Sequence, residues 1–200
     1  EIILLLHGYS EDAQKVFDRL APKLPNDKYL IIAANGLYPL IDRFPLETET
    51  SDKKLLRGYA WYFYDQANDH YLVDYEVPAR ALGDLLDQVN SNNLPVNIIG
   101  YSQGGYLAPF VASYHKQIKY ILGINCSFRT DLLPENNEYQ LDGLQGKDDP
   151  IINVTLSKSR HDEFIKKGNS GKYKIIENES HRLSPKLADE AINLFHLKLN

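Results

Sequence analysis

Residues 96–106 read Val96-Asn97-Ile98-Ile99-Gly100-Tyr101-Ser102-Gln103-Gly104-Gly105-Tyr106. Val96 to Ile99 is a short apolar run of the kind that forms a buried strand, and Tyr106 to His115 is compatible with a helix. Between them lies a G-x-S-x-G pentapeptide, so the order is strand, sharp turn, helix. That is the setting in which the pentapeptide forms a nucleophile elbow. The residue types follow from sterics. A serine at the tip of a strained turn needs neighbours without side chains, because a Cβ at 100 or 104 would strike the adjacent strand or helix. The amides after Ser102 open a helix, where unpaired N–H groups and the dipole favour a developing negative charge.

Working outward, other apolar runs repeat the pattern. Ile2 to Leu6 is continuously apolar, as in a strand covered on both faces. His7-Gly8-Tyr9 follows, and Ser10, Glu11 and Asp12 open a helix to about Leu20, with acidic residues suited to its first turn. Tyr29 to Ala34 is the next expected strand, followed by a long polar and aromatic connection, 35–75, containing Trp61, Tyr62, Phe63 and Tyr64. Pro78 suits the first turn of a helix whose face is Ala81, Leu82, Leu85, Leu86 and Val89. Strands are expected at Ile118–Ile124, Leu141–Leu144 and Tyr173–Ile176. Helices are expected at 153–167 and from Ser184-Pro185 onward, the last with Leu187, Ala188, Ala191, Ile192, Phe195 and Leu199 on one face. Six apolar strands alternating with helices predict an α/β fold: one domain, 1–200, with a mostly parallel sheet covered on both faces.

Composition narrows the function. Of 200 residues, 43% are hydrophobic, enough for a full core, and the net charge of −5 comes with dispersed Lys and Arg. That argues against a nucleic-acid footprint, so no nucleic-acid partner is expected. No apolar run approaches the ~20 residues of a membrane span, so no integral membrane association is expected. No signal peptide is visible, and the lone Cys126 suits a reducing, cytoplasmic setting. The chain opens inside a strand and contains no methionine, as expected either of a fragment or of a sequence from which modified residues are missing.

A serine nucleophile needs a base, and the base an orienting acid. In a parallel sheet, ligands sit beyond the carboxyl ends of the strands, so the loops after Leu6, Gly100, Leu144 and Ile176 should converge. Among six histidines, His115 and His196 fall late in expected helices, His161 within one, and His70 in the long connection. His7 comes too early for a Ser–acid–His order. His181, just past the last strand, is placed by topology. For the acid, Asp149 in Gly146-Lys147-Asp148-Asp149-Pro150-Ile151 is the choice, with Asp148 and then Asp162 as alternatives. Helix capping would be the ordinary use of such aspartates.

The ordered set of His7-Gly8, Gly100-Tyr101-Ser102-Gln103-Gly104-Gly105, Gly146-Lys147-Asp148-Asp149-Pro150-Ile151 and Ser180-His181 resembles the α/β-hydrolase fold. Within that fold it is most similar to the phospholipase/carboxylesterase family, which includes acyl-protein thioesterases. The resemblance implies Ser102 as nucleophile, His181 as general base and acid, Asp149 as orienting carboxylate, and the backbone N–H groups of Tyr9 and Gln103 as an oxyanion hole. It departs from the family at Ile152-Asn153, where Val-Pro or Ile-Pro is commoner, and at Tyr9-Ser10, where Leu-Gly is.

The implied activity is a serine carboxylesterase needing no metal or organic cofactor, its partner a small-molecule or lipid-like acyl ester. A long-chain thioesterase or lysophospholipase is the enzymatic alternative, and a hydrolase-fold binding module the non-enzymatic one. Nothing in the sequence sets an oligomeric state.

Overall fold

The computed structural model describes residues 1–25, 27–41, 56–65, 70–72 and 74–198. Much of the expected aromatic connection (42–55, 66–69 and 73), the side chains of Tyr64 and His70, and Leu199 lie outside the described residues.

In chain order the strands are β1 (Ile2–Leu6), β2 (Leu30–Ala34), β3 (Tyr38–Ile41), β4 (Leu56–Ala60), β5 (Phe63–Asp65), β6 (His70–Leu72), β7 (Val96–Tyr101), β8 (Ile118–Ile124), β9 (Gln140–Gly146) and β10 (Tyr173–Ile176). The helices are α1 (Ala13–Leu20), α2 (Glu76–Val89), α3 (Gln103–Val111), α4 (Val154–Lys166) and α5 (Pro185–Lys198). Six strands form one sheet in the order β10-β9-β8-β7-β1-β2, and every neighbouring pair is parallel. This is an α/β-hydrolase fold.

Side chains alternate across β1. Ile2, Leu4 and Leu6 pack with Leu82 and Leu86 of α2, Leu107 and Val111 of α3, and Phe164 of α4. Ile3 and Leu5 pack on the opposite face with Val16 and Leu20 of α1 and Leu187, Ile192 and Phe195 of α5. Both faces of β1 are therefore dry, which explains its unbroken apolar run.

Three local readings are corrected. The helix after Leu6 begins at Ala13, so Glu11 and Asp12 lie outside its first turn. Asp12 is its N-cap, accepting from the Lys15 N–H at 2.8 Å, and Ser10 sits at φ +61°. The elbow helix begins at Gln103 rather than Tyr106 and ends at Val111, which leaves His115 beyond it. Low helix propensity argues against Gly104 and Gly105 in a first turn, but close packing overrides it here. A Cβ on Gly104 would lie 2.6 Å from the Leu6 carbonyl oxygen, and one on Gly105 2.7 Å from Cys126 Sγ. The long connection is not free of regular structure: β3 pairs with β4, and β5 with β6, both antiparallel.

The strand order fixes where a site can form. From β1 the chain runs to β2 on one side, while β7 lies against β1 on the other, so the winding reverses between β1 and β7. At such a switch point the loops leaving the carboxyl ends diverge and open a crevice. Gly100 and Tyr101 at the end of β7 lie level with Leu6 of β1 and Ile124 of β8. His7–Tyr9 and Ser102 therefore emerge side by side.

Candidate active site

Ser102 sits between β7 and α3 with φ +48° and ψ −117°, a conformation costly for any residue with a Cβ. Several contacts hold it there. Its N–H donates to the Ile124 carbonyl at 2.8 Å, and its own carbonyl accepts from Gly105 (2.9 Å) and Tyr106 (3.1 Å). Gly100 makes the turn possible, since a Cβ there would lie 2.5 Å from the Gly104 carbonyl oxygen.

The structure brings the three polar side chains into one chain of contacts. Ser102 Oγ lies 2.9 Å from His181 Nε2, and His181 Nδ1 lies 2.8 Å from Asp149 Oδ2. The Asp149 side chain is fully buried and His181 only slightly exposed. Asp149 Oδ1 accepts from the backbone N–H groups of Ile151 (2.8 Å) and Ile152 (2.9 Å), and Oδ2 also accepts from Gln145 Nε2 at 2.7 Å. Burial alone would push this carboxyl up. The His181 contact and the two amides outweigh it and hold the group below the usual carboxylate range. Asp149 is therefore ionised, which makes His181 Nδ1 the donor and leaves Nε2 free to accept from Ser102.

The alternatives lie elsewhere. Asp148 is exposed, its N–H donating to the Glu179 carbonyl. Asp162 pairs with Lys158 at 2.6 Å on the outer surface of α4. His161 is buried against the Leu141 carbonyl at 2.8 Å, and His115 meets Asp87 at 2.7 Å. His196 lies on α5.

The family resemblance assigns an oxyanion hole to two backbone N–H groups. That of Gln103 opens α3 and has no partner within the helix. That of Tyr9 belongs to the Gly8–Tyr9 peptide, whose carbonyl accepts from His7 Nδ1 at 2.7 Å and from the Glu11 N–H at 3.2 Å. A trans peptide points its N–H opposite its carbonyl, so these contacts fix the direction of the Tyr9 N–H. His7 can donate from Nδ1 while Nε2 accepts from the Gly36 N–H at 2.9 Å. Its pKa is lowered by burial, in keeping with that neutral form.

The sequence marks His7 as part of the His7-Gly8 motif and as a histidine too early to be the base, and it assigns no role to the side chain of His7 or of Gln103. The Gln103 side chain is buried. Its Oε1 accepts from the Trp61 N–H at 2.8 Å and its Nε2 donates to the Tyr62 carbonyl at 2.9 Å. Trp61 stacks on His7 with centroids 5.0 Å apart and donates its indole N–H to the His7 carbonyl at 3.0 Å. Trp61 and Tyr62 thus pack beside the elbow. The only sequence signal was the clustering of aromatics, which does not name their partners. Among the described residues, no group of three or more His, Cys, Asp or Glu could hold a metal ion.

A parallel sheet, a strained serine after its central strand, and a histidine and aspartate on later loops define an α/β hydrolase of the serine type. The phospholipase/carboxylesterase family matches residues 1–197, and the chain belongs to that family. No curated protein sequence matches it significantly. Among solved structures it is similar to the esterase PE8, with 17% identity and a TM-score of 0.76, covering 98% of this chain and 92% of that one. It is also similar to Zea mays acyl-protein thioesterase 2, with 16% identity and a TM-score of 0.74, covering 100% and 94%. The Bacillus cereus carboxylesterase gives 14% identity and a TM-score of 0.70, covering 98% and 87%. At these identities the likeness shows a common fold. No helix among the described residues is long and apolar enough to cross a membrane.

Proposed function

We propose that the protein is a carboxylesterase that cleaves small or medium acyl esters through Ser102, His181 and Asp149. The observation that carries this reading is the unbroken contact chain from Ser102 Oγ through His181 to Asp149 Oδ2. His181 Nε2 takes the hydroxyl proton as Ser102 attacks the acyl carbonyl. The oxyanion develops between the N–H groups of Tyr9 and Gln103, each worth on the order of 3 kcal/mol by comparison with other oxyanion donors. The tetrahedral adduct then collapses, and His181 hands the proton to the departing alkoxide. Water repeats the sequence on the acyl-enzyme, with His181 again as base and Ser102 as leaving group.

The packing of Trp61 and Tyr62 supports a modest acyl site, because these rings are buried in the core rather than free to line a long groove. Exposure of Tyr9 (48%), Phe63 (48%) and Ile151 (66%) favours the second reading, a hydrolase of long-chain acyl esters or thioesters. p-Nitrophenyl esters from acetate to palmitate discriminate the two: kcat/KM peaking at short chains supports the first, and at long chains the second. A fluorophosphonate probe tests the common core. Rapid labelling of the parent and none of Ser102→Ala is expected, with turnover falling by roughly 10⁴ to 10⁶. Folded parent protein that does not label would instead indicate a binding module.

A further inference from the structure

Asn125 follows β8 and is fully buried, with φ +49°. Its contacts reach all three loops that carry the candidate triad. The peptide joining Ile124 to Asn125 accepts the Ser102 N–H through the Ile124 carbonyl at 2.8 Å. The Asn125 N–H donates to the Leu144 carbonyl at 2.8 Å, and its side-chain Oδ1 accepts the Gly146 N–H at 2.8 Å. These hold the base of the loop that carries Asp149. Its Nδ2 donates to the Ser180 carbonyl at 3.0 Å, with a longer contact to the Arg182 carbonyl at 3.4 Å. The Ser180 carbonyl belongs to the peptide bond that enters His181.

We infer that Asn125 is a positioning residue that sets the mutual geometry of Ser102, His181 and Asp149. The inference rests on the hydrolase reading above. The side chain must accept at one end and donate at the other, within one short amide. Asparagine does this, and it also tolerates the left-handed backbone better than most residues. Aspartate keeps the acceptor for Gly146 but presents an oxygen to the Ser180 carbonyl. Glycine keeps the backbone conformation and loses both side-chain contacts. Gly146 completes the arrangement, because a Cβ there would lie 2.5 Å from the Glu179 carbonyl oxygen and 3.0 Å from that of Ser180. The loops carrying Asp149 and His181 can therefore close on each other with Asn125 wedged beneath. Tyr101 holds the far side of the histidine, its hydroxyl donating to the His181 carbonyl at 3.2 Å.

A misplacement of about 1 Å between reacting groups costs roughly 10²-fold in rate. Asn125→Gly and Asn125→Asp are therefore expected to lower kcat on p-nitrophenyl acetate by about 30- to 100-fold, with KM within about threefold of the parent, since Asn125 is fully buried and presents no surface to a substrate. A structural role alone would not move the low-field proton NMR signal of the His181–Asp149 hydrogen bond. This signal should shift or broaden in both variants, and Asp149→Asn identifies it in the parent. Asn125→Gly protects the test against misfolding, because glycine accepts φ +49° without strain, and circular dichroism and the thermal midpoint report the fold. The inference is overturned if folded Asn125→Gly keeps kcat within threefold of the parent, or if the low-field signal is unchanged in both variants. That signal needs no turnover. A parent that neither labels nor hydrolyses esters would sink the hydrolase reading, while the NMR comparison would still decide whether Asn125 holds the histidine and aspartate together.

Discussion

Replacing Asp149 by asparagine is a sharp test, because the structure dictates how the new amide must lie. Oδ1 accepts two backbone N–H groups, from Ile151 and Ile152, and only an oxygen can stay there. The new NH₂ is thereby forced into the position of Oδ2, facing His181 Nδ1 and Gln145 Nε2. Facing a donor, the imidazole must accept at Nδ1 and carry its proton on Nε2. It then points a proton at Ser102 Oγ instead of a lone pair, and the serine cannot be deprotonated. Gln145 can relieve its own conflict by rotating its amide, which turns Oε1, buried and otherwise without a hydrogen-bond partner, towards the new NH₂. The fold should therefore survive, with a stability change of about 1–2 kcal/mol, while kcat falls by about 10⁴, the size of loss that a wrong tautomer causes in a serine triad. The assay is kcat and KM on p-nitrophenyl acetate, run beside Asp148→Asn and Asp162→Asn, each of which should stay within about tenfold of the parent. A folded Asp149→Asn within tenfold of the parent, or a crippled Asp148→Asn, would refute the placement of the acid.

Two further outcomes follow from packing and charge. Gly104→Ala should destabilise the protein by about 1–3 kcal/mol even though alanine favours a helix by about 1 kcal/mol, because the new Cβ meets backbone oxygens of Leu6 and His7 at 2.6 and 2.7 Å. A thermal midpoint at or above the parent's would contradict this. His7 and His161 are both held neutral chiefly by burial, so their folded pKa values lie below the ordinary value near ~6.5. Their contribution is complete above that pH and is lost as the pH falls from there through the folded values, where the unfolded chain takes up protons that the native state resists. Urea midpoints should therefore decline from pH 7 towards pH 5, and a rise over that interval would show that neither histidine is held neutral.

The elements that sequence reasoning placed well are those whose signal is local. Ile118–Ile124 and Tyr173–Ile176 are apolar runs long enough to name their own bounds, and the structure has strands over the same residues. The elbow was legible because strand, G-x-S-x-G and helix are contiguous, although the helix start was misread where packing overrode propensity. His181 could be singled out because topology sends the loop after the last strand to the same edge as the serine. Asp149 was harder, with Asp148 beside it. What separates them is direction: one carboxylate reaches His181, while the other is exposed.

The illegible part consists of residues whose role depends on three-dimensional neighbours. Asn125, Gln145 and the Gln103 side chain are ordinary polar letters in the sequence, and each is buried; Asn125 and Gln103 have partners on distant segments, while Gln145 holds Asp149, four residues on. Their spacing from Ser102 carries no period that a pattern could detect. The reason lies in the parallel sheet itself. Adjacent strands arrive from separated parts of the chain, so the ladder that aligns Ile124 with Tyr101 and Leu144 with Ile124 also gathers the residues just beyond them. Asn125 is the first residue past β8, the strand lying between those that lead to Ser102 and to Asp149. A polar side chain there, turned back by a left-handed backbone, is well placed to bridge the loops on either side. Its importance is a property of strand order, and it became readable only once that order was known.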